Sequence, residues 1–310
     1  MTSRLTSLAV AVILVAVPLL GQPARTFISA AGDDLNNCVN LSPCRTLQRG
    51  IDAAAANGEV VPLDSAGYGT VVITKSITVA VPAGVYAGVT TLTAGTPAVT
   101  INAPGVNVKL RGLSINSLGG QYGIYVGVGN VILNVERSAI SGFPFAAVWF
   151  SSAGGRLAVF DSLIRDSGAG IAVSSGDPGS PAVAVIDNAQ FSGNGGGSSG
   201  AVVAGTSSRV NVRNSVAHAN FRGFEVEAED PNFTTMKVEN SSATDNVVGL
   251  FATNTGVSAI ATMYVSNCLI AHNTLYAIEV QSGSLIHSRG NNTVVDNAAG
   301  ENFSDTYSAK

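Results

Sequence analysis

The 310-residue chain carries 16 Lys and Arg against 20 Asp and Glu, a formal net charge of −4, and only 12% of its residues are charged. No basic cluster supplies the Lys/Arg stripe that phosphate neutralisation requires, which argues against a nucleic-acid partner. High Gly with recurrent Ala, Val, Ser, Thr and Asn suits short strands joined by tight turns rather than surface helices.

In chain order, residues 1–24 read as a secretory signal: Arg4, then an apolar run from Leu8 to Leu20, then Gly21 and Ala24. The run is shorter than the ~20 residues that span a bilayer, so a cleaved signal is expected, with no membrane span after its removal. A secreted, periplasmic or cell-surface location follows. Residues 25–58 are expected to form an N-terminal cap. Within it Cys38 and Cys44 enclose VNLSP, and in an oxidising compartment a disulfide is the favoured pairing. Thr46 to Ala56 places Leu47, Ile51 and Ala54 at helical spacing, with Gly58 after the last turn, which predicts a short capping helix. Val71 to Ile73, Ile77 to Val79, Val99 to Ile101 and Val106 to Leu110 read as strands of less regular coils.

From there the chain repeats. Asp161, Asp187, Asn214, Asn240, Asn267 and Asn291 recur at intervals of roughly 25 residues, and each precedes a small or polar residue. A second Asn follows as Asn220, Asn246, Asn273 and Asn297, with Asn194 one position late. Each unit then reads Gly-apolar-x-apolar, as in Gly170-Ile-Ala-Val and Gly223-Phe-Glu-Val. A unit this short cannot bury its own apolar face, whereas stacked units can, with equivalent residues about 4.8 Å apart in parallel ladders. The recurring Asn residues are expected at the bends, bonded to backbone groups and to one another. On that basis Asn240→Leu should destabilise more than Thr244→Leu. Cys268 falls in the column of Ser138, Ser162, Ser215 and Ser241 and is expected to be a small buried filler. Residues 301–310 lose the period and read as a brief polar cap or a frayed tail.

The unit Asn-Ser-x4-Asn-x2-Gly-Ile/Phe-x-Val resembles the repeat of the pectate-lyase-like superfamily over about residues 105 to 300. The front end, CVNLSPCRTLQRGIDAAAANGEVV onward, is similar to the start of secreted bacterial β-helix proteins of mostly undescribed function. The resemblance implies an all-β, single-stranded, right-handed parallel β-helix over residues 59–300. It leaves the activity open, since that superfamily includes lyases, hydrolases, epimerases, adhesins and inert scaffolds. Glycosidases of this fold carry Asn-Thr-Asp, Asp-Asp, His-Gly and Arg-Ile-Lys motifs, none of which occurs here. Asp245-Asn246 and His287-Ser288 come nearest.

The middle position of Gly-apolar-x-apolar should face outward, giving the column Tyr125, Trp149, Ala172, Val202, Glu225, Phe251 and Glu279. Tyr125 and Trp149 on adjacent coils could stack on sugar faces, against the plainer reading that Phe143, Phe145, Trp149 and Phe150 pack as a satellite cluster under a loop. Glu225 and Glu227, two apart on one strand, with Glu279 farther along the column, are candidate acid/base groups or Ca²⁺ ligands, against a solvated acidic edge. No other cofactor and no zinc site is expected, because His218, His272 and His287 lack ligand spacing. Asp161, Arg165 and Asp166 read as an exposed ion pair beside a turn. The leading expectation is an exported scaffold contacting a polysaccharide or cell-surface glycan. Its rivals are a polysaccharide lyase or glycoside hydrolase, and a structural envelope or fibre component.

Overall fold

A computed structural model describes residues 21–196 and 199–308, so the apolar run Leu8 to Leu20 lies outside the described residues. The chain winds as a parallel β-solenoid with sheets of 12, 9 and 10 strands, called here the first, second and third. One coil shows the plan. Strand Ser208–Arg213 lies in the first sheet, Val216–His218 in the third, and Arg222–Glu229 in the second. A loop then leads back to the first sheet at Phe233–Glu239. Every neighbouring pair is parallel, because each strand meets its counterpart only after a full turn of the chain.

Alternation sends one set of side chains inward from all three sheets. Leu110, Val135, Val159, Ile186, Val212, Val238 and Val265 align from the first sheet; Ile124, Val148, Ile171, Val202, Phe224, Leu250 and Ile278 align from the second. All are buried in one continuous core. Each such side chain contributes roughly 1.5–3 kcal/mol relative to exposure, and the coils share that gain only when stacked.

Two sharp corners flank the short third-sheet strands, and here the structure corrects the repeat alignment. At the first corner the left-handed residues are Arg137, Asp161, Asn188, Asn214, Asn240 and Asn267. Asp187 is not among them: it ends strand Ala182–Asp187, and Asn188 takes the corner. Counted from Asn188, Asn194 is no longer late. In the last coil Gly290 adopts the left-handed conformation, while Asn291 accepts from the Asn267 N–H at 3.0 Å. These first-corner Asn residues are exposed, so the buried role expected for Asn240 is overturned; its side chain accepts from Asn267 Nδ2 at 2.7 Å and its backbone N–H donates to Ser266 O at 3.1 Å.

At the second corner the left-handed residues are Asp166, Gly193, Ala219, Asp245, His272 and Asp296, each one position before the second Asn column. Asn220, Asn246 and Asn273 therefore do not make the bend. They point into the core, at most 3% exposed, and form a continuous ladder with Asn194 and Asn297. Cys268 sits as expected, 5% exposed, its thiol directed at the carbonyls of Val238 and Ser266.

At the N-terminal end the helix is Leu47–Ala53, shorter than the sequence predicts, with Thr46 as N-cap accepting from the Arg49 N–H. Arg25–Ile28 pairs with Gly58–Pro62, so the first sheet begins inside the cap segment. Cys38 and Cys44 form a disulfide with Cα atoms 4.7 Å apart. Closing this short loop should stabilise the cap by about 2 kcal/mol through the entropy removed from the unfolded chain. Cys38→Ser/Cys44→Ser is expected to lower the denaturant midpoint accordingly, and an unchanged midpoint would contradict the assignment. At the other end Asp305–Thr306 pairs with His287–Ser288 and Phe303 packs on the core, so this part of the tail is docked rather than frayed.

Candidate functional site

Stacking of the second sheet builds the outward column in register: Thr100, Tyr125, Trp149, Ala172, Val203, Glu225, Phe251 and Glu279. Val203, not Val202, holds that coil's outer position; Val202 points into the core. The loop before this strand is four residues longer than in the next coil, and Gly200 pairs with Arg222, so Ala201 holds the usual glycine position and counting from Gly200 misplaces the column by one.

Tyr125 and Trp149 are register neighbours, and Tyr122 packs against both, with ring centroids 5.2 Å and 6.0 Å away. Phe145 lies 5.4 Å from Tyr122 and is 54% exposed. These four rings form the aromatic patch, whereas Phe143 and Phe150, expected to belong to it, are fully buried in the core. Burial, then the neighbouring Tyr125, raises the Tyr122 hydroxyl pKa above the usual phenol value.

Beyond Trp149 the column drops to Ala172 and Val203, and this dip is the floor of a groove of about 400 Å³. Phe145 and Trp149 line one end, and Glu227 and Glu229 line the other, with Ser151 and Ser174 on its flank. Strand alternation in FEVEAE places Glu225, Glu227 and Glu229 on this one face. Their environments differ sharply. Glu225 is 2% exposed and receives the Arg222 guanidinium, which itself lies 3.6 Å from the centroid of the Phe251 ring. Burial pushes the Glu225 pKa up to about 7, with Glu227 adding to the rise and Arg222 opposing it. Glu227 is only partly buried, and its carboxyl is likewise raised, first by desolvation and then by Glu229.

The three carboxylates singled out in sequence are therefore not one constellation. Glu225 is occupied by Arg222, Phe251 separates it from Glu279, and Glu279 accepts from Gln281 outside the groove. Only Glu227 stands at the groove wall, joined by Glu229. Among the described residues no group of three or more His, Cys, Asp or Glu side chains is arranged to hold a metal ion, so the Ca²⁺ option has no ligand cage behind it. His218 lies 3.3 Å from Asp245 and His272 lies 3.7 Å from Asp296, both exposed at the second corner; Arg165 pairs with Asp166 at 2.7 Å, also exposed. None of these reaches the groove.

A model of the right-handed β-helix region matches residues 98–299. The chain belongs to the right-handed β-helix family. Solved structures similar to this β-helix include an alginate lyase from Paenibacillus sp. str. FPU-7, at 14% identity and TM-score 0.58, covering 92% of this chain and 98% of that one. Pectate lyase Pel9A follows at 16% identity and TM-score 0.54, with 92% and 78% covered. A rhamnogalacturonan lyase is 10% identical, with TM-score 0.54 and 88% and 87% covered. At such identities the likeness is one of fold. No curated protein matches the sequence.

Proposed function

We propose that this β-helix is an exported protein whose second-sheet groove contacts a polysaccharide or cell-surface glycan. The observation that carries the reading is the joint lining of one groove by Trp149 and by Glu227 and Glu229. An indole face stacks on the C–H face of a pyranose, and carboxylates accept from its hydroxyls, so the two ends supply complementary halves of sugar recognition. Tyr125 acts through Tyr122, holding the aromatic end in place. The lyases of alginate, pectate and rhamnogalacturonan that share the fold support a carbohydrate partner. The disulfide and the apolar N-terminal run support export.

A glycan array with wild type and Trp149→Ala tests this. Wild type should bind a defined subset of glycans, and the variant should bind them about tenfold more weakly, the scale of one aromatic stacking contact. Equal signals, or none from either protein, would remove the aromatic platform.

One observation favours a catalytic alternative: Glu227 is a groove carboxyl whose pKa is raised above the ordinary Glu value by burial and by Glu229, the direction a general acid requires. Incubation with uronate polymers, with and without Ca²⁺, would reveal unsaturated ends from a lyase or reducing ends from a hydrolase. No product across a broad panel removes that alternative and leaves binding.

A further inference from the structure

A second cleft lies on a different face, at the C-terminal end of the first sheet, with a volume of about 450 Å³. Such a volume falls in the range of small-ligand pockets, about 300–1,000 Å³. Register builds it. Lys237 stands beside Tyr264 and Glu239 beside Ser266, and Arg289 extends from the next coil. The short strand Asp305–Thr306 then brings Tyr307 over the opening.

The aromatic wall is fixed. Tyr264 stacks on His287 at 5.0 Å between centroids and meets Tyr307 edge-on at 5.4 Å, while Asp305 holds His287 from below. The charges are what set the cleft apart. In the outward row that ends in Glu239 and Ser266 the cations farther along are paired, Arg111 with Glu136 at 3.7 Å and Arg213 with Asp187 at 2.9 Å. At this end Ser266 occupies the position facing Glu239, and among the described residues neither Lys237 nor Arg289 makes an ion pair within 4.0 Å. Two cations against one carboxylate leave a net positive cleft on a chain of net charge −4.

We propose that this cleft is a binding site for a six-membered ring bearing one carboxylate, separate from the groove and independent of its assignment. The carboxylate would be taken by the Arg289 guanidinium with Lys237 beside it. The ring would lie against Tyr264 under the edge of Tyr307, and Glu239 would accept from ring hydroxyls. Two sources share that chemistry, the hexuronate unit of an acidic polysaccharide and a free phenolic acid.

Calorimetric titration of the full chain decides, carried out in the Trp149→Ala background so that the groove's contribution is reduced. The probes are a hexuronate oligomer, 4-hydroxybenzoate and a neutral gluco-oligomer. Binding of either carboxylate, weakened at least tenfold by Arg289→Gln at an unchanged melting temperature, supports the site, and the probe that binds names the source. Equal affinity with and without Arg289, equal affinity for the neutral oligomer, or no heat from either carboxylate would overturn it. Because Arg289 is exposed, its replacement leaves the core intact.

Discussion

Asn246→Leu is expected to destabilise the fold by about 4 kcal/mol or more, enough to deplete the native state of a marginally stable domain. Asn246 is fully buried, and its Oδ1 accepts from both the backbone N–H and the side-chain Nδ2 of Asn220, at 2.9 and 3.0 Å. Its own Nδ2 donates to Ala217 O at 3.0 Å and to Asn273 Oδ1 at 3.2 Å. Leucine fills a similar volume but supplies none of these bonds. The four hydrogen bonds are lost from the core at roughly 1 kcal/mol each and the Asn220 N–H is stranded, while Asn220 Nδ2 keeps Phe191 O and His218 O and Asn273 Oδ1 keeps the residue-246 N–H. Asn240→Leu should cost less, about 1–2 kcal/mol, because that residue is exposed and the penalty is chiefly its left-handed φ of 49°. Thr244→Leu, partly exposed and outside the ladder, should stay within about 0.5 kcal/mol. Denaturant midpoints for the three variants give the order directly, and a milder effect at Asn246 than at Asn240 would contradict the ladder.

Between pH 4.5 and about 7, wild type should lose stability as pH rises, by about 3 kcal/mol from Glu225. The unfolded chain releases this proton near the ordinary Glu value of 4.5, whereas burial holds it in the folded state to about 7. In that window the native state binds more protons than the unfolded one, so its advantage is complete below 4.5 and is lost as pH passes 7. Glu227, raised by the same cause, acts in the same direction. Asp34 and Asp64 oppose only at lower pH: backbone and side-chain donors hold them below 3.8, so their contribution fades as pH falls beneath that value. Glu225→Gln cannot titrate and should flatten the slope between pH 5 and 8. A slope of unchanged size in the variant would show that Glu225 is ionised throughout.

The architecture was legible because a repeat states each structural demand several times. Alternation identified the core columns, the period predicted stacked coils, and the Ser column correctly absorbed Cys268. Finer register was lost where one coil departs from the others. Asp187-Asn188 offers two equivalent-looking corner residues, and only the strand end distinguishes them. The second corner went unseen because Asp245, Ala219, His272 and Gly193 share a conformation and no chemistry, while the buried Asn beside them carried the visible signal. On the outer face of the second sheet, Trp149, Tyr125, Glu225 and Glu227 were readable by alternation, of which Trp149 and Glu227 line the groove. Arg222 and Tyr122 were not, since both stand ahead of the Gly/Ala position where the simple alternation breaks. Their partners Glu225 and Tyr125 therefore looked exposed in sequence, whereas in the fold Glu225 is buried and Tyr125 half-buried. Glu279 shares the column, and the same spacing already sets Phe251 between it and Glu225.

Trp149 is the chain's single tryptophan, so its emission reports on the groove without any label. Titration of the native protein with acidic and neutral polysaccharide fragments should shift that emission to shorter wavelength in a saturable way for at least one fragment, as sugar displaces water from the indole face. Trp149 emission that stays constant across the panel, while the same fragments bind elsewhere or not at all, would contradict a carbohydrate-contacting groove.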